Sequence, residues 1–171
     1  MTDIWNPISA SKRLVLRYIL STMVILLAMT NVHARCFDEA GKKHAIDPLL
    51  LEAIAYVESS MNPKAVNVNR NGTQDIGLMQ INSSHLQRLE KQGVTRELLL
   101  SDSCLSVMVG AEILAQFIAR FGYTWRAVGA YNAGAGLGKQ RDELRDRYAQ
   151  KVVKQYQILK AKPLRLAGTG K

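Results

Sequence analysis

The sequence predicts a mainly α-helical fold with one small β-ribbon. The run from Ser103 to Phe121 is apolar on nearly every side of a helix, which is typical of a helix at the centre of a domain. Apolar residues also recur at helical spacing after Asp47-Pro48, so a second helix buries one face. The polar, turn-rich stretch between them contains Asn71-Gly72, which favours a tight hairpin. No repeat or second domain is evident, so we expect one domain.

The helix after Asp47 has clear start and stop signals. Asp47 supplies an N-cap oxygen and Pro48 suits the first helical position, whereas Asn62-Pro63 is expected to end the helix. Glu58 then lies in the last turn, where the negative end of the helix dipole disfavours a carboxylate and burial raises its pKa. The buried face comprises Leu50, Ala53, Ile54, Val57 and Met61.

The stretch that follows predicts a β-ribbon around residues 66–76. Oxygen-bearing side chains at alternate positions superficially resemble a calcium loop. The loop offers neutral amides where a hard cation prefers carboxylates, and the closing glutamate is absent, so no calcium site is expected.

Five further helices are predicted downstream. Their expected extents are Ser83 or Ser84 to Glu90, a short helix starting at Thr95, Ser103 to Phe121, Thr124-Trp125 to Asn132, and about Asp142 to Lys160.

The N-terminus has the features of a signal peptide. Lys12, Arg13 and Arg17 precede a mostly apolar run from Tyr18 to Met29, and small residues follow near its end. We predict cleavage after Ala34, which leaves a periplasmic domain over residues 35–160 and a basic, flexible tail over 161–171. The alternative, an uncleaved membrane anchor, needs about 20 apolar residues, and this run is shorter. No stable membrane span is expected after cleavage.

The net charge restricts the partners. The 171-residue chain carries +9, and removal of a leader with three basic residues and one acidic residue lowers this to +7. An exported basic protein is expected to meet an anionic envelope polymer rather than nucleic acid. The positive charge is dispersed and no nucleic-acid-binding motif accompanies it, so nucleic acid is not an expected partner.

Two cysteines, Cys36 and Cys104, lie in the predicted mature chain. In an exported protein such a pair favours a disulfide over a metal site, and closing a loop of about 70 residues is worth roughly 4 kcal/mol. Two free buried thiols are the alternative. His44 and His85 are isolated and His33 lies in the leader, so no metal and no cofactor are expected.

Glu58 and Asp75 are the candidate catalytic pair. Glu58 ends an apolar helix, and Asp75 opens the polar, glycine-containing segment Asp75-Ile-Gly-Leu-Met-Gln-Ile-Asn82. Two carboxylates in such different environments have separated pKa values, which assigns one as an acid and the other as a charge stabiliser in glycosidic-bond cleavage. The amides of Gln80 and Asn82 beside apolar residues suit carbohydrate binding.

Three motifs resemble those of the soluble lytic transglycosylase (SLT) family. They are Glu58-Ser59, Gly77-Leu-Met-Gln80 and Ala130-Tyr-Asn-Ala-Gly134, in this order across roughly Cys36 to Gly134. Asp102-Ser-Cys104 and Trp125-Arg-Ala-Val-Gly-Ala-Tyr-Asn132 further resemble a subgroup of small exported transglycosylases that accompany secretion systems, conjugation machinery and pili.

The resemblance implies a lysozyme-like fold and peptidoglycan glycan strands as substrate. It implies cleavage of the β-1,4 bond from N-acetylmuramic acid to N-acetylglucosamine with a 1,6-anhydro product, and components of a secretion, conjugation or pilus apparatus as further partners. Glu58 is then the catalytic acid and afterwards the base, and Tyr131 donates its hydroxyl to Glu58 or to the substrate. The substrate-binding positions implied are Ser59, Met79, Gln80, Asn82, Tyr131 and Asn132.

Asp75 departs from the family's commonest form, which relies on one glutamate, and also resembles the aspartate segment of animal lysozymes. It is either a direct participant or a structural carboxylate that bonds backbone N–H groups in the turn. A muramidase that uses water is therefore the nearest functional alternative. A non-catalytic peptidoglycan-binding assembly protein is the third, although such a protein has no need of Glu58.

Overall fold

Seven helices, a short 3-10 turn and a three-stranded sheet build residues 35–161 of the computed structural model, which also describes positions 15, 17 and 19. The chain divides into two compact units, Met1–Arg35 and Cys36–Lys171. The predicted leader and tail fall almost wholly outside the described residues. The helices are α1 (35–44), α2 (Pro48–Ser59), α3 (Leu86–Glu90), α4 (Arg96–Ser101), α5 (Ser103–Phe121), α6 (Trp125–Ala133) and α7 (Lys139–Ala161).

Helix α2 begins where the sequence predicts. The Asp47 carboxylate accepts a hydrogen bond from the Leu49 N–H at 2.9 Å, and Pro48 is the first helical residue. The other Asp47 oxygen accepts from the Tyr156 hydroxyl at 2.6 Å, which fixes this end of α2 to α7. The helix ends at Ser59 rather than at Asn62-Pro63, because Ser60 adopts a left-handed conformation with φ 53° and closes the last turn. Glu58 lies in that last turn.

The predicted ribbon is confirmed and is part of a larger sheet. Strands β1 (Val66–Val68), β2 (Gln74–Ile76) and β3 (Ile81–Asn82) form an antiparallel sheet in chain order. In its register Asp75 stands opposite both Asn67 and Asn82. The third strand was not predicted, because two residues are too short for a pattern of alternation.

The cap of the next helical segment also differs from the prediction. Asn82, not Ser83 or Ser84, is the N-cap, and its side-chain oxygen accepts from the Ser84 N–H at 3.0 Å. Asn82 therefore ends β3 and starts the 3-10 turn Ser83–His85 that leads into α3.

Helix α5 is the central helix, as its apolar sequence predicts. It packs against α2, α4, α6 and β3, and by length and composition alone it is also apolar enough to cross a membrane. The residues that it buries are Ser106, Val107, Val109, Gly110, Ala111, Ile113 and Leu114. The predicted disulfide is confirmed: Cys36 on α1 is bonded to Cys104 on α5, across a sequence separation of 68.

Helices α6 and α7 approach each other closely at Gly129. A Cβ atom there would lie 2.5 Å from the Arg145 carbonyl oxygen, so only glycine fits. The Arg145 side chain is 1% exposed and donates to the Gly134 and Gly136 carbonyls and, at 2.7 Å, to Asp142. This buried guanidinium fixes the glycine-rich loop between α6 and α7, which borders the cleft described next.

Candidate active site

A cleft of about 960 Å³ opens beside the small sheet and is bordered by α5, α6 and α7. It collects side chains that are far apart in the sequence. Six of the predicted site residues line it: Glu58, Asp75, Gln80, Asn82, Tyr131 and Asn132. The two others, Ser59 and Met79, do not line it.

Glu58 is a half-buried carboxyl group with a raised pKa. Burial raises its pKa from the usual 4.5 to about 7, and the hydrogen bond from Tyr148 opposes this rise. The charge of Asp75 raises the pKa further, whereas the charge of Lys151 lowers it. A carboxyl group with a pKa near neutrality can both give and take a proton at neutral pH.

The hydroxyl that contacts Glu58 belongs to Tyr148. Its oxygen donates to Glu58 Oε1 at 2.6 Å, from a position on α7 that is 5% exposed. Tyr131 was predicted to donate to Glu58 or to the substrate. Its hydroxyl donates to the Met79 carbonyl oxygen at 2.8 Å and not to Glu58, and a contact with substrate stays a prediction. Burial raises the pKa of both phenols well above 10, so both remain protonated donors.

Ser59 connects the end of α2 to the motif that follows β2. Its hydroxyl lies 2.8 Å from the Leu78 carbonyl oxygen and 3.2 Å from the Ala55 carbonyl oxygen. Both partners are backbone atoms. In this structure Ser59, the residue next to Glu58, therefore fixes the end of α2 to the Gly77–Gln80 turn. This contact supports an orienting role, and a contact with substrate stays a prediction.

The Gly77–Gln80 turn requires its glycine. Gly77 has φ 75°, and a Cβ atom would collide with the Leu99 carbonyl oxygen. Gln80 is also left-handed, with φ 48°, and its amide donates to the carbonyls of Gly77 at 2.8 Å and Ala65 at 3.2 Å. The Gln80 oxygen accepts from Asn67 at 2.6 Å. The polar atoms of Gln80 therefore stabilise the turn, and Gln80 also lines the cleft.

Met79 differs from its predicted role. Its side chain is fully buried and packs against Gly110, where an added Cβ atom would lie only 2.8 Å from it. Its backbone N–H donates to the Ser106 hydroxyl at 3.2 Å. The side chain thus fills space between the turn and α5 and is not in a position to touch a substrate.

Asp75 is held by side-chain amides. One carboxylate oxygen accepts from Asn82 at 2.7 Å and the other from Asn69 at 2.9 Å. The alternative of a purely structural carboxylate predicted backbone N–H donors in the turn. The observed donors are side-chain amides. Two neutral donors orient the group without cancelling its charge, so its negative charge remains directed at the cleft.

Sequence reasoning missed four cleft residues or contacts. Tyr148 is not singled out by any motif in the sequence, although a buried tyrosine hydroxyl needs a polar partner, and that need was the available signal. Asn69, Arg70 and Arg141 also line the cleft, and their positions depend on the hairpin turn and the α6–α7 loop. Within residues 35–161, no three His, Cys, Asp or Glu side chains come together as metal ligands.

The fold and the cleft define a lysozyme-like helical protein with a glutamate of raised pKa at a helix end. The fold is shared with lytic transglycosylase Slt from Pseudomonas aeruginosa, known as an X-ray structure of an inactive mutant. The TM-score is 0.56 at 22% identity, and the match covers 74% of this chain but only 24% of that one.

The chain belongs to the transglycosylase SLT domain family, which matches residues 35–154. It is 45% identical over 145 residues to the invasion protein IagB of Salmonella typhimurium strain SL1344, covering 85% of this chain and 89% of that protein. It is 46% identical over 123 residues to protein IpgF of Shigella flexneri, covering 72% and 80% of the two chains.

Proposed function

We propose that this protein is a peptidoglycan lytic transglycosylase that cleaves the β-1,4 bond between N-acetylmuramic acid and N-acetylglucosamine. The observation that carries the proposal is Glu58, a half-buried carboxyl group with a pKa of about 7 that faces the cleft and accepts from Tyr148. Membership of the SLT family supports the substrate class.

In the first step Glu58 acts as the acid. Its proton passes to the glycosidic oxygen as the bond from that oxygen to the muramoyl C1 breaks, so N-acetylglucosamine leaves as an alcohol. Positive charge then develops at C1 and the ring oxygen. The raised pKa keeps much of Glu58 protonated near pH 7, which this step requires.

In the second step the same carboxylate acts as the base. The muramoyl C6 hydroxyl attacks C1 and gives its proton to Glu58, which restores the acid and forms a 1,6-anhydro ring without consuming water. The hydroxyl is already part of the substrate, and intramolecular reactions of this kind reach effective molarities of about 10⁵–10⁸ M. The Tyr148 hydrogen bond stabilises the ionised form of Glu58 between the two steps.

Asp75 is proposed to stabilise the positive charge that develops at C1. Its carboxylate lines the same cleft and is fixed by Asn69 and Asn82. This second carboxylate is also the observation that favours the alternative, a muramidase in which water replaces the C6 hydroxyl. A purely peptidoglycan-binding role would not require an acid with the pKa of Glu58.

We further propose that residues 1–34 are a cleaved signal peptide and that the protein acts in the periplasm. There it would open the cell wall locally for a secretion, conjugation or pilus apparatus. The support is the basic, then apolar N-terminal sequence and the similarity to a protein named for invasion. Removal of the leader is tested by N-terminal sequencing of the protein recovered from the periplasm, with a start at Arg35 as the expected result.

Solubilisation of purified peptidoglycan sacculi tests the activity itself. Wild-type protein, with the Cys36–Cys104 bond intact, is expected to release soluble glycan fragments over time. A protein that binds sacculi but releases no fragments would contradict the proposal and favour the binding role.

Removing the Tyr148 hydroxyl is expected to change the pH profile as well as the rate. The hydrogen bond lowers the pKa of Glu58, so Tyr148→Phe raises that pKa above 7. A hydrogen bond to a charged group worth about 1.5 kcal/mol corresponds to about one pH unit. We expect turnover to fall about tenfold and the alkaline limb of the profile to move upward by up to about one unit.

Tyr131→Phe is the matched control, because it removes a hydroxyl in the same cleft that donates to Met79 and not to Glu58. Its alkaline limb should stay where the wild-type limb lies. An unmoved limb in Tyr148→Phe would show that this hydroxyl does not set the pKa of Glu58.

A further inference from the structure

We propose that Arg70 and Arg141 bind carboxylates of the peptide side chains on a peptidoglycan strand, so that this cleft is specific for peptide-bearing glycan over bare glycan. This inference rests on the proposed function and names its substrate more closely. Both arginines line the cleft that contains Glu58.

Arg70 lies in a turn whose other polar side chains are occupied. The amide of Asn69 donates to Thr73 and Asp75, and the oxygen of Asn71 accepts from the Thr73 N–H and hydroxyl. These contacts fix the hairpin between β1 and β2. Among the described residues Arg70 has no hydrogen bond or ion pair, and its side chain is exposed at the cleft.

Arg141 comes from a different part of the sequence, the first turn of α7. One of its terminal nitrogens donates to the Ala133 carbonyl oxygen at 2.9 Å, which holds the guanidinium against the end of α6. A guanidinium has five N–H donors, so one such bond orients the group and leaves donors for a ligand. Arg141 is thereby positioned before any ligand arrives.

Neither arginine is neutralised by a carboxylate within residues 35–161. The ion pairs there are Arg88–Glu112, Arg126–Asp142 and Arg145–Asp142. Asp142, the acid next to Arg141 in the sequence, is therefore already shared by two other arginines. Asp75 is held by asparagine amides. The two cleft guanidinium groups thus remain available to an anion.

The chemistry of the proposed substrate supplies that anion. The N-acetylated sugars of the glycan are uncharged, and in an intact strand the lactyl group of muramic acid is amide-linked to the peptide. The free carboxylates of a strand lie on the peptides. Guanidinium groups bind carboxylates through paired hydrogen bonds, which gives geometric selectivity as well as attraction.

The test compares cleavage of two substrates made from one preparation of soluble glycan strands. One keeps its peptides, and the other is stripped of them by an amidase and then treated with a carbodiimide and ammonia, which converts the lactyl carboxylates that the amidase exposes into neutral amides. Wild-type protein is expected to show a higher kcat/KM on the peptide-bearing strands, with the advantage reduced by salt. Arg70→Gln should lose about five- to tenfold on peptide-bearing strands and retain wild-type kcat/KM on stripped strands. Arg141→Gln should shift the ratio in the same direction.

Arg147→Gln is the charge-matched control, since Arg147 is exposed on α7 and does not line the cleft. It should leave the ratio of the two kcat/KM values unchanged. An equal loss on both substrates by Arg70→Gln, or no loss on either, would overturn this inference and leave the proposed function intact. Failure of the wild-type protein to cleave either substrate would instead overturn the proposed function, and this inference with it.

Discussion

Replacing Glu58 by glutamine is expected to reduce the release of glycan fragments from sacculi by about 10³–10⁴-fold. One carboxyl group is proposed to act as acid and then as base, and general acid–base catalysis contributes about 10²–10⁴-fold. Glutamine has nearly the same shape and its amide oxygen still accepts from Tyr148, so the loss would report lost proton transfer rather than a changed cleft.

The same variant is expected to be more stable than the wild-type protein at alkaline pH. The pKa of Glu58 is raised in the folded state, so its contribution to stability is complete below about pH 4.5 and is lost as pH rises through about 7. A pKa displaced from 4.5 to about 7 corresponds to about 3 kcal/mol.

Urea unfolding at two pH values measures this difference. At pH 8 the free energy of unfolding of Glu58→Gln should exceed that of wild type by about 2–3 kcal/mol, and at pH 4 the two values should converge. Glu52→Gln cannot serve as a control for this measurement, because Glu52 lies in the core and not in the cleft. A variant that keeps full lytic activity would show that the proposed mechanism is wrong, whatever its stability.

Replacing Asp75 by asparagine is expected to reduce the lytic rate by about 10–100-fold. The carboxylate supplies a fixed negative charge for a transition state with positive charge at C1, and removal of one such preorganised group costs about 10²-fold or more in well-studied enzymes. A second effect adds to this loss at neutral and higher pH: Asp75 also raises the pKa of Glu58, so without its charge less of Glu58 is protonated. We therefore expect the alkaline limb of the pH profile to move downward in Asp75→Asn.

Asn69→Ala provides the comparison. It removes the amide that bonds one Asp75 oxygen at 2.9 Å but keeps the charge, so its loss of rate should be smaller than that of Asp75→Asn. A loss of less than about threefold in Asp75→Asn, with an unchanged pH profile, would reduce Asp75 to a support for the sheet.

The fold was predictable wherever a local signal was strong. Asp47-Pro48 set the start of α2, the all-round apolar pattern located α5, and Asn71-Gly72 located the hairpin. The end of α2 was predicted too late, since the left-handed Ser60 leaves no distinct trace in the sequence. Strand β3 consists of two residues, which no periodic pattern can reveal.

The site was predictable in its composition but not in its contacts. The sequence motifs identify Glu58, Gln80 and Tyr131 as members of one cleft, and the structure brings them together. They do not specify which tyrosine reaches Glu58, because that depends on how α7 packs against α2. Tyr148 is 90 positions away from Glu58. The sequence of one helix does not distinguish a tyrosine whose hydroxyl contacts a site from a tyrosine that only packs in the core.

Met79 shows the opposite error. Its place between Leu78 and Gln80 in a motif suggested a contact with substrate. In the turn, however, the Met79 side chain points towards Gly110. Neighbours in a motif share a backbone conformation and not a common face, so membership of a motif alone does not assign a role.

Mass spectrometry of the fragments released from purified sacculi tests the central claim most directly. If the C6 hydroxyl attacks C1, the muramic acid ends carry a 1,6-anhydro ring and each fragment is lighter by one water than the product of hydrolysis. We predict that anhydro ends predominate in the wild-type digest and are absent from the Glu58→Gln digest. Reducing muramic acid ends without any anhydro form would contradict the transglycosylase mechanism and show that this cleft hydrolyses the bond with water.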